Sequence, residues 1–319
     1  MNISGESILI LLSTYNGEKY LRNQIDSIIN QSYTNWQLLL RDDLSTDNTS
    51  EIIGEYEKKD SRIRLIRKIS GKNIGANLSF NILLNYAIKN RSSNYFMFAD
   101  QDDVWFPNKI ELSVNTIQSI TSPHITQDSP LLLFTNKIIT DEKLNVLGNS
   151  YYKYQSIQAD KIHLNQQLLQ NVPTACTMIF NRTLAELASP IPQKSVMHDH
   201  WISLVAASFG KIYYIDEPTM YYRQHSSNVF GAKKYGINLL IQKYKQGIPA
   251  TKKKFYLLCK QAEQLLETHR DKFTKEQIKM LEDFSKLPYQ SWFIRRKILI
   301  KHKIYKSGLL RNLAMFCII

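Results

Sequence analysis

The chain has 319 residues, 43% of them hydrophobic and 22% charged, with a formal net charge of +13. That composition excludes a disordered or collagen-like chain and is long enough for one large buried core. No apolar run approaches the roughly 18–20 residues of a membrane span. The opening MNISGESILILLSTYNG has no basic leader segment or small-residue cleavage site, so it is not read as a signal peptide. Cys176, Cys259 and Cys317 stand far apart, which argues for a reducing compartment and against a disulfide framework. The charge is uneven: positions 233–319 hold twenty Lys/Arg against six Asp/Glu, and the rest of the chain is near neutral. A basic tail of this kind seeks a polyanion, either nucleic acid or an anionic membrane.

Taken in order, short apolar runs predict strands at Ser7–Ser13, Trp36–Leu40, Ile63–Ile66, Tyr95–Ala99 and Leu131–Thr135. Helical spacing falls between them: Leu21 to Ile29, then Ile52, Ile53 and Tyr56, then Leu78 to Tyr86. A further helix runs through Ile110, Val114 and Ile117 with Pro107 at its first turn. This alternation predicts a parallel α/β sheet with right-handed crossovers. Thr177–Phe180 and Lys211–Ile215 read as further strands, with a helix at Trp201–Phe209 between them. Past a soft boundary near 226–232 the texture turns helical, with Ile237, Leu240, Ile241 and Tyr244 followed by Phe255, Leu258, Cys259, Ala262 and Leu265.

In open parallel sheets ligands bind beyond the carboxyl ends of the strands. Those ends carry Ser13-Thr14-Tyr15-Asn16-Gly17, Arg41-Asp42-Asp43 and Asp100-Gln101-Asp102-Asp103. Three carboxylates within four residues repel one another unless a cation sits among them, and a hard divalent ion suits oxygen ligands. The same acids also serve as a solvated turn or helix cap. Asp42 and Asp47 read equally as turn residues, Asp199 as a cap, His225 as a loop histidine, and Cys176 as a small buried hydrophobe. Trp201 suits either a sugar face or the core. A metal triad of His198, Asp199 and His200 is disfavoured because adjacent helical residues diverge.

STYNG, RDDLSTDNT, GKNIGAN and FADQDDVW, in that order from about Ser7 to His225, resemble family 2 glycosyltransferases. DQDDVW, then HDHW, then YRQHSSNV, is similar to their bacterial rhamnosyltransferase-like branch. The resemblance implies a GT-A fold, a Rossmann-like and mostly parallel sheet flanked by helices. It implies a catalytic domain over residues 1–228 and a basic helical region over 229–319. It also implies that Thr14 and Tyr15 lie against the donor base, that Asp43 bonds the base edge, that Asn73 sits near the ribose or diphosphate, and that Asp100 approaches the ribose. Asp102 would bind Mn2+ or Mg2+, His225 would give a second metal or diphosphate contact, and Asp199 would be the catalytic base. One base and no covalent intermediate imply inversion at the sugar. The Q-x-x-R-W motif of processive relatives is missing, which points to addition of one or a few sugars.

The implied reaction joins a nucleotide-sugar donor, with dTDP-L-rhamnose favoured and a UDP-hexose or UDP-N-acetylhexosamine as the alternative, to a lipid-linked saccharide acceptor. The basic tail then suggests a cytoplasmic protein peripheral on the inner face of the membrane, or a helix pair that packs on the body or forms a homo-oligomer. A nucleic-acid-binding protein acting through the basic tail is the alternative of another class; it is disfavoured, and nucleic acid is not expected as a partner, since helix-turn-helix, finger and RNA-binding signatures are lacking and the acidic strand ends would repel phosphates without metal.

Overall fold

The computed structural model describes residues 5–67, 71–120, 129–226, 228, 231–232 and 248–319. The pattern Ile237, Leu240, Ile241 and Tyr244 lies outside them.

The first half alternates as its periodicity predicts. Strand β1 is Ile8–Thr14, helix α1 Leu21–Ile29, β2 Trp36–Asp42, α2 Thr49–Lys59, β3 Ile63–Leu65, α3 Ala76–Asn90 and β4 Tyr95–Ala99. Then come β5 (Val104–Trp105), α4 (Lys109–Ile120), β6 (Leu131–Thr140), β7 (Val146–Gly148), α5 (Tyr151–Gln155) and α6 (Leu164–Gln167). β8 (Met178–Asn181), α7 (Arg182–Leu187), α8 (His198–Phe209) and β9 (Lys211–Arg223) complete the sheet region. Among the described residues four helices follow: α9 (Ile248–His269), α10 (Lys275–Ser285), α11 (Trp292–Lys301) and α12 (Leu309–Ile318).

The strands join in the order β3-β2-β1-β4-β8-β6-β9-β5, with β7 on β6. β3, β2, β1 and β4 are parallel, as expected. β8 runs against both β4 and β6, and β5 runs against β9, so the second half is mixed. A period-two apolar pattern marks a strand but carries no direction, which is why these reversals were not predicted.

Every residue from Ile8 to Leu12 is buried, as a sheet covered on both faces requires. Alternate side chains go to different layers. Ile8, Ile10 and Leu12 pack with Leu21, Ile25 and Ile28 of α1 and with Ile110 and Val114 of α4. Leu9 and Leu11 pack with Phe80, Leu83 and Leu84 of α3 and with Ile202 and Val205 of α8. That second layer extends into the C-terminal helices through Phe255, Leu258, Leu265, Leu281, Phe284 and Leu299. Trp201, 1% exposed, belongs to this core and donates its indole N–H to Ala188 O at 2.9 Å.

Candidate active site

The strand ends build the site in two parts. The first is the loop after β1. Thr14 donates its hydroxyl to Gln101 Oε1 at 2.6 Å, and Tyr15 N donates to the same oxygen at 2.8 Å. Gln101 Nε2 returns a bond to Tyr15 O at 3.1 Å. A Cβ on Gly17 would lie 2.6 Å from Thr14 Oγ1 and 2.8 Å from Gln101 Oε1, so glycine is required where these groups close together. The Tyr15 ring is 45% exposed and presents an open aromatic face.

Behind this loop lies Asp43, 2% exposed. Its carboxylate pairs with Arg41 at 2.8 Å and accepts the amides of Ile74 (3.0 Å) and Gly75 (2.7 Å). Asn73 Nδ2 donates to Asp43 O at 3.1 Å. Asp43 and Asn73, separated in sequence, therefore meet and fix the turn that opens α3. Asp42 and Asp47 are turn residues: Asp42 accepts from Ser45 and Ser50, and Asp47 from Thr49.

The second part follows β4. Asp102 Oδ2 accepts from His225 Nε2 at 2.8 Å and from Asn228 Nδ2 at 3.1 Å. His225, beyond β9, is brought across 123 positions to this carboxylate, and its ring lies 4.7 Å from that of Tyr20. Asp100 is half-buried, and one oxygen each of Asp100 and Asp103 and the Cys176 sulfur all lie within 4.8 Å of one another. Burial, and then the Asp102 charge, push the Asp100 carboxyl up to about 7. Burial with Asp102 and Asp100 raises Asp103 well above the carboxylate range. A cation among these groups would relieve that repulsion. The carboxylate oxygens of Asp100, Asp102 and Asp103 suit a hard divalent ion such as Mn2+ or Mg2+, with the Cys176 sulfur a softer donor beside them.

Asp199 enters from the first turn of α8. Its carboxylate accepts the His200 amide at 2.7 Å and the Ala175 amide at 3.3 Å. Burial lifts this carboxyl to about 6 against those bonds, and its charge is felt at Asp100. Its two neighbours point elsewhere, as adjacent helical positions must. His200 Nε2 is 2.6 Å from Gln167 O, and His198 stacks on Phe80 at 4.2 Å.

Four contributors were given no role in the sequence reading: Asn228, described above, with Gln101, Lys137 and Lys109. Gln101 sits unremarked between two acids. Lys137, 2% exposed on β6, lies 3.5 Å from Cys176 Sγ and 3.5 Å from the centroid of the Tyr222 ring. Burial opposes its charge, but Cys176, Tyr151, Asp103 and Asp100 outweigh burial and hold the ammonium above the usual lysine range. Lys109, also buried, donates to Cys176 O at 3.0 Å and Thr219 Oγ1 at 3.1 Å, and burial lowers it to about 8. Cys176 is thus the buried thiol expected, but it lies between two lysines beneath the acids. A lysine inside the apolar-flanked run Leu131–Thr140 was the available signal.

Residues 9–126 match the family model described as Glycosyl transferase family 2. Over that segment the chain is similar to glycosyltransferase family 2. It is 29% identical over 63% of its length to UDP-Glc:alpha-D-GlcNAc-diphosphoundecaprenol beta-1,3-glucosyltransferase WfgD of Escherichia coli, covering 74% of that protein. It is 28% identical over 69% of its length to dTDP-rhamnosyl transferase RfbG of Shigella flexneri, again covering 74% of the relative. In fold it is similar to S. aureus TarS 1-349 in complex with UDP-GlcNAc, with a TM-score of 0.55, 15% identity, and coverage of 88% of this chain and 70% of that one. It is also similar to the mannosyltransferase PcManGT from Pyrobaculum calidifontis in complex with GDP-Man and Mn2+, with a TM-score of 0.52, 12% identity, and coverage of 97% and 78%. The chain therefore has the GT-A fold, with helices following the sheet.

Proposed function

We propose that this glycosyltransferase moves one sugar from a nucleotide donor to a lipid-linked saccharide, with inversion, in the assembly of a bacterial surface polysaccharide. L-Rhamnose from dTDP-L-rhamnose is the favoured donor, supported by the DQDDVW, HDHW and YRQHSSNV segments and by the similarity to RfbG. The observation that carries the reading is the meeting of Asp102, His225 and Asn228, with Asp100 beside them, at the strand ends that also bear the Tyr15 loop. The catalytic domain is taken as 1–228 and the basic helical region as 229–319.

Tyr15 and Thr14 receive the base, with the Tyr15 ring as the stacking face. Asp43 and Asn73 shape the base and ribose side through the Ile74–Gly75 turn, and Asp100 faces the ribose. Asp102, with His225 and Asp100 beside it, is where Mn2+ or Mg2+ would be held, and the chemistry such an ion supplies there is neutralisation of the leaving diphosphate. Asp199 takes the proton of the attacking hydroxyl, which suits a carboxyl raised towards neutrality.

A UDP-glucose-type donor is the second reading, because WfgD is similar over 63% of the chain and its name specifies UDP-Glc. Thermal shift with dTDP-rhamnose, UDP-glucose, UDP-galactose and UDP-N-acetylglucosamine, each with and without Mn2+, separates the two. The true donor should raise the melting point in the presence of the ion. No shift from any donor would overturn the transferase assignments made to these residues.

A further inference from the structure

The C-terminal helices bury one face and leave an apolar one outside. On α11, Arg296 and Leu299 turn inward, while Phe293 (78% exposed), Lys297 and Ile300 (57%) lie one helical turn apart on the outer stripe. Trp292 flanks that stripe and is half exposed. On α12, Met315 is buried, and Leu309, Leu310 and Leu313 are exposed. Neither helix is long and apolar enough to cross a membrane.

The basic residues of the segment divide by type. The arginines are spent internally on backbone carbonyls. Arg295 donates to Gln290 O, Arg296 to Trp292 O and Phe316 O, and Arg311 to Gln155 O and Ser156 O. They pin α11 to α12 and the tail to the body. Lys297 and Lys303 are exposed, next to the exposed apolar side chains, and Lys301, also exposed, lies 3.6 Å from Asp283 Oδ2. Positions 292–319 contain seven Lys/Arg and no acid.

We propose that the outer faces of α11 and α12 dock on the anionic surface of a lipid bilayer, with Trp292, Phe293, Ile300 and the α12 leucines entering the interface and Lys297 and Lys303 facing the headgroups. Charge selects this occupant: a second copy would bring like-charged faces together, whereas acidic headgroups neutralise them. Apolar side chains rimmed by lysines are the arrangement of interfacial helices. That docking carries the site to a lipid-linked acceptor rests on the function proposed above; the docking itself does not.

The test uses the full chain and vesicles of phosphatidylcholine, with or without phosphatidylglycerol. Binding should require the anionic lipid and fall steeply with salt. Three of the four tryptophans, Trp36, Trp105 and Trp201, are at most 2% exposed, so a blue shift on vesicle addition reports Trp292. Phe293→Ser with Ile300→Ser should weaken binding at least tenfold. Lys297→Gln with Lys303→Gln should weaken it about fivefold per charge. These positions are exposed, and unchanged circular dichroism melting should confirm that the variants fold. Absence of binding at low salt, binding indifferent to both pairs, or a lipid-free dimer lost with Phe293→Ser would each overturn the proposal. Nucleotide-sugar thermal shift on the same variants should be unaltered, which separates failure of docking from failure of the transferase reading.

Discussion

Gln101 and Tyr15 exchange two hydrogen bonds, Tyr15 N to Oε1 at 2.8 Å and Nε2 to Tyr15 O at 3.1 Å, so one side chain serves as a strand partner. The residue between two acids of the proposed metal motif thereby sets the loop proposed to receive the base. Gln101→Ala should weaken donor binding about tenfold, as loss of two or three neutral bonds implies, with a smaller effect on kcat. Gln101→Glu should be worse, because an acceptor would then face Tyr15 O. Calorimetric titration of donor checks both.

Asp199→Asn should lower kcat by roughly 100- to 10,000-fold, the usual weight of a general base, while donor affinity survives. In the wild-type enzyme the base must be ionised. With its carboxyl raised to about 6 by burial, kcat should fall about tenfold per pH unit below that value. A pH-independent rate between pH 5 and 7 would refute the assignment.

Asp102→Asn should abolish Mn2+ binding measured by electron paramagnetic resonance, and His225→Ala should weaken it. His225 contributes one neutral ligand and Asp102 a charge, so the asparagine change should cost more. Chelator should reproduce the loss of donor affinity in wild type and leave Asp102→Asn unchanged.

Lys137→Met should destabilise the fold, since Asp100 and Asp103 would lose the nearby ammonium that eases their mutual repulsion. Mn2+ should then raise the melting temperature of the variant more than that of wild type. Equal shifts would show that Lys137 and the acidic group are uncoupled.

His198 is buried between Phe80 and Phe98, and burial lowers it to about 3. The unfolded chain gains its proton near pH 6.5 while the folded chain does not, so stability should fall as pH drops from 6.5 towards 3. The slope reaches at most about 1.4 kcal/mol per pH unit for this one group. Burial lowers His200 to about 4, against its bond to Gln167, and it adds to the same window. His198→Phe should flatten the urea midpoint across that range.

Local pattern made much of this molecule readable. Periodicity located β1 to β4 and α1 to α4 within a few residues, because each buries a strict stripe or both faces. It fell short where tertiary context decides. β9 continues to Arg223 rather than ending near Ile215, since its later residues earn strand pairing from β6 and β5. Helix α8 begins at His198, not Trp201, which puts Asp199 in its first turn. The strand-end rule pointed to Asp100, Asp102 and the Tyr15 loop. Lys137, Cys176 and Gln101 gave no such warning, as each is a single residue whose partners lie far along the chain.

Arg223 closes β9 by donating to Asp102 O at 2.8 Å and Glu142 O at 2.7 Å, with Asn23 Oδ1 within 3.3 Å. One guanidinium thus rivets three distant segments at the far edge of the sheet. Fraying there would free His225 and Asn228 together while the parallel half stayed shut. Amide hydrogen exchange should therefore see the Asp102–His225 end breathe before the Tyr15 loop, in a single cooperative opening.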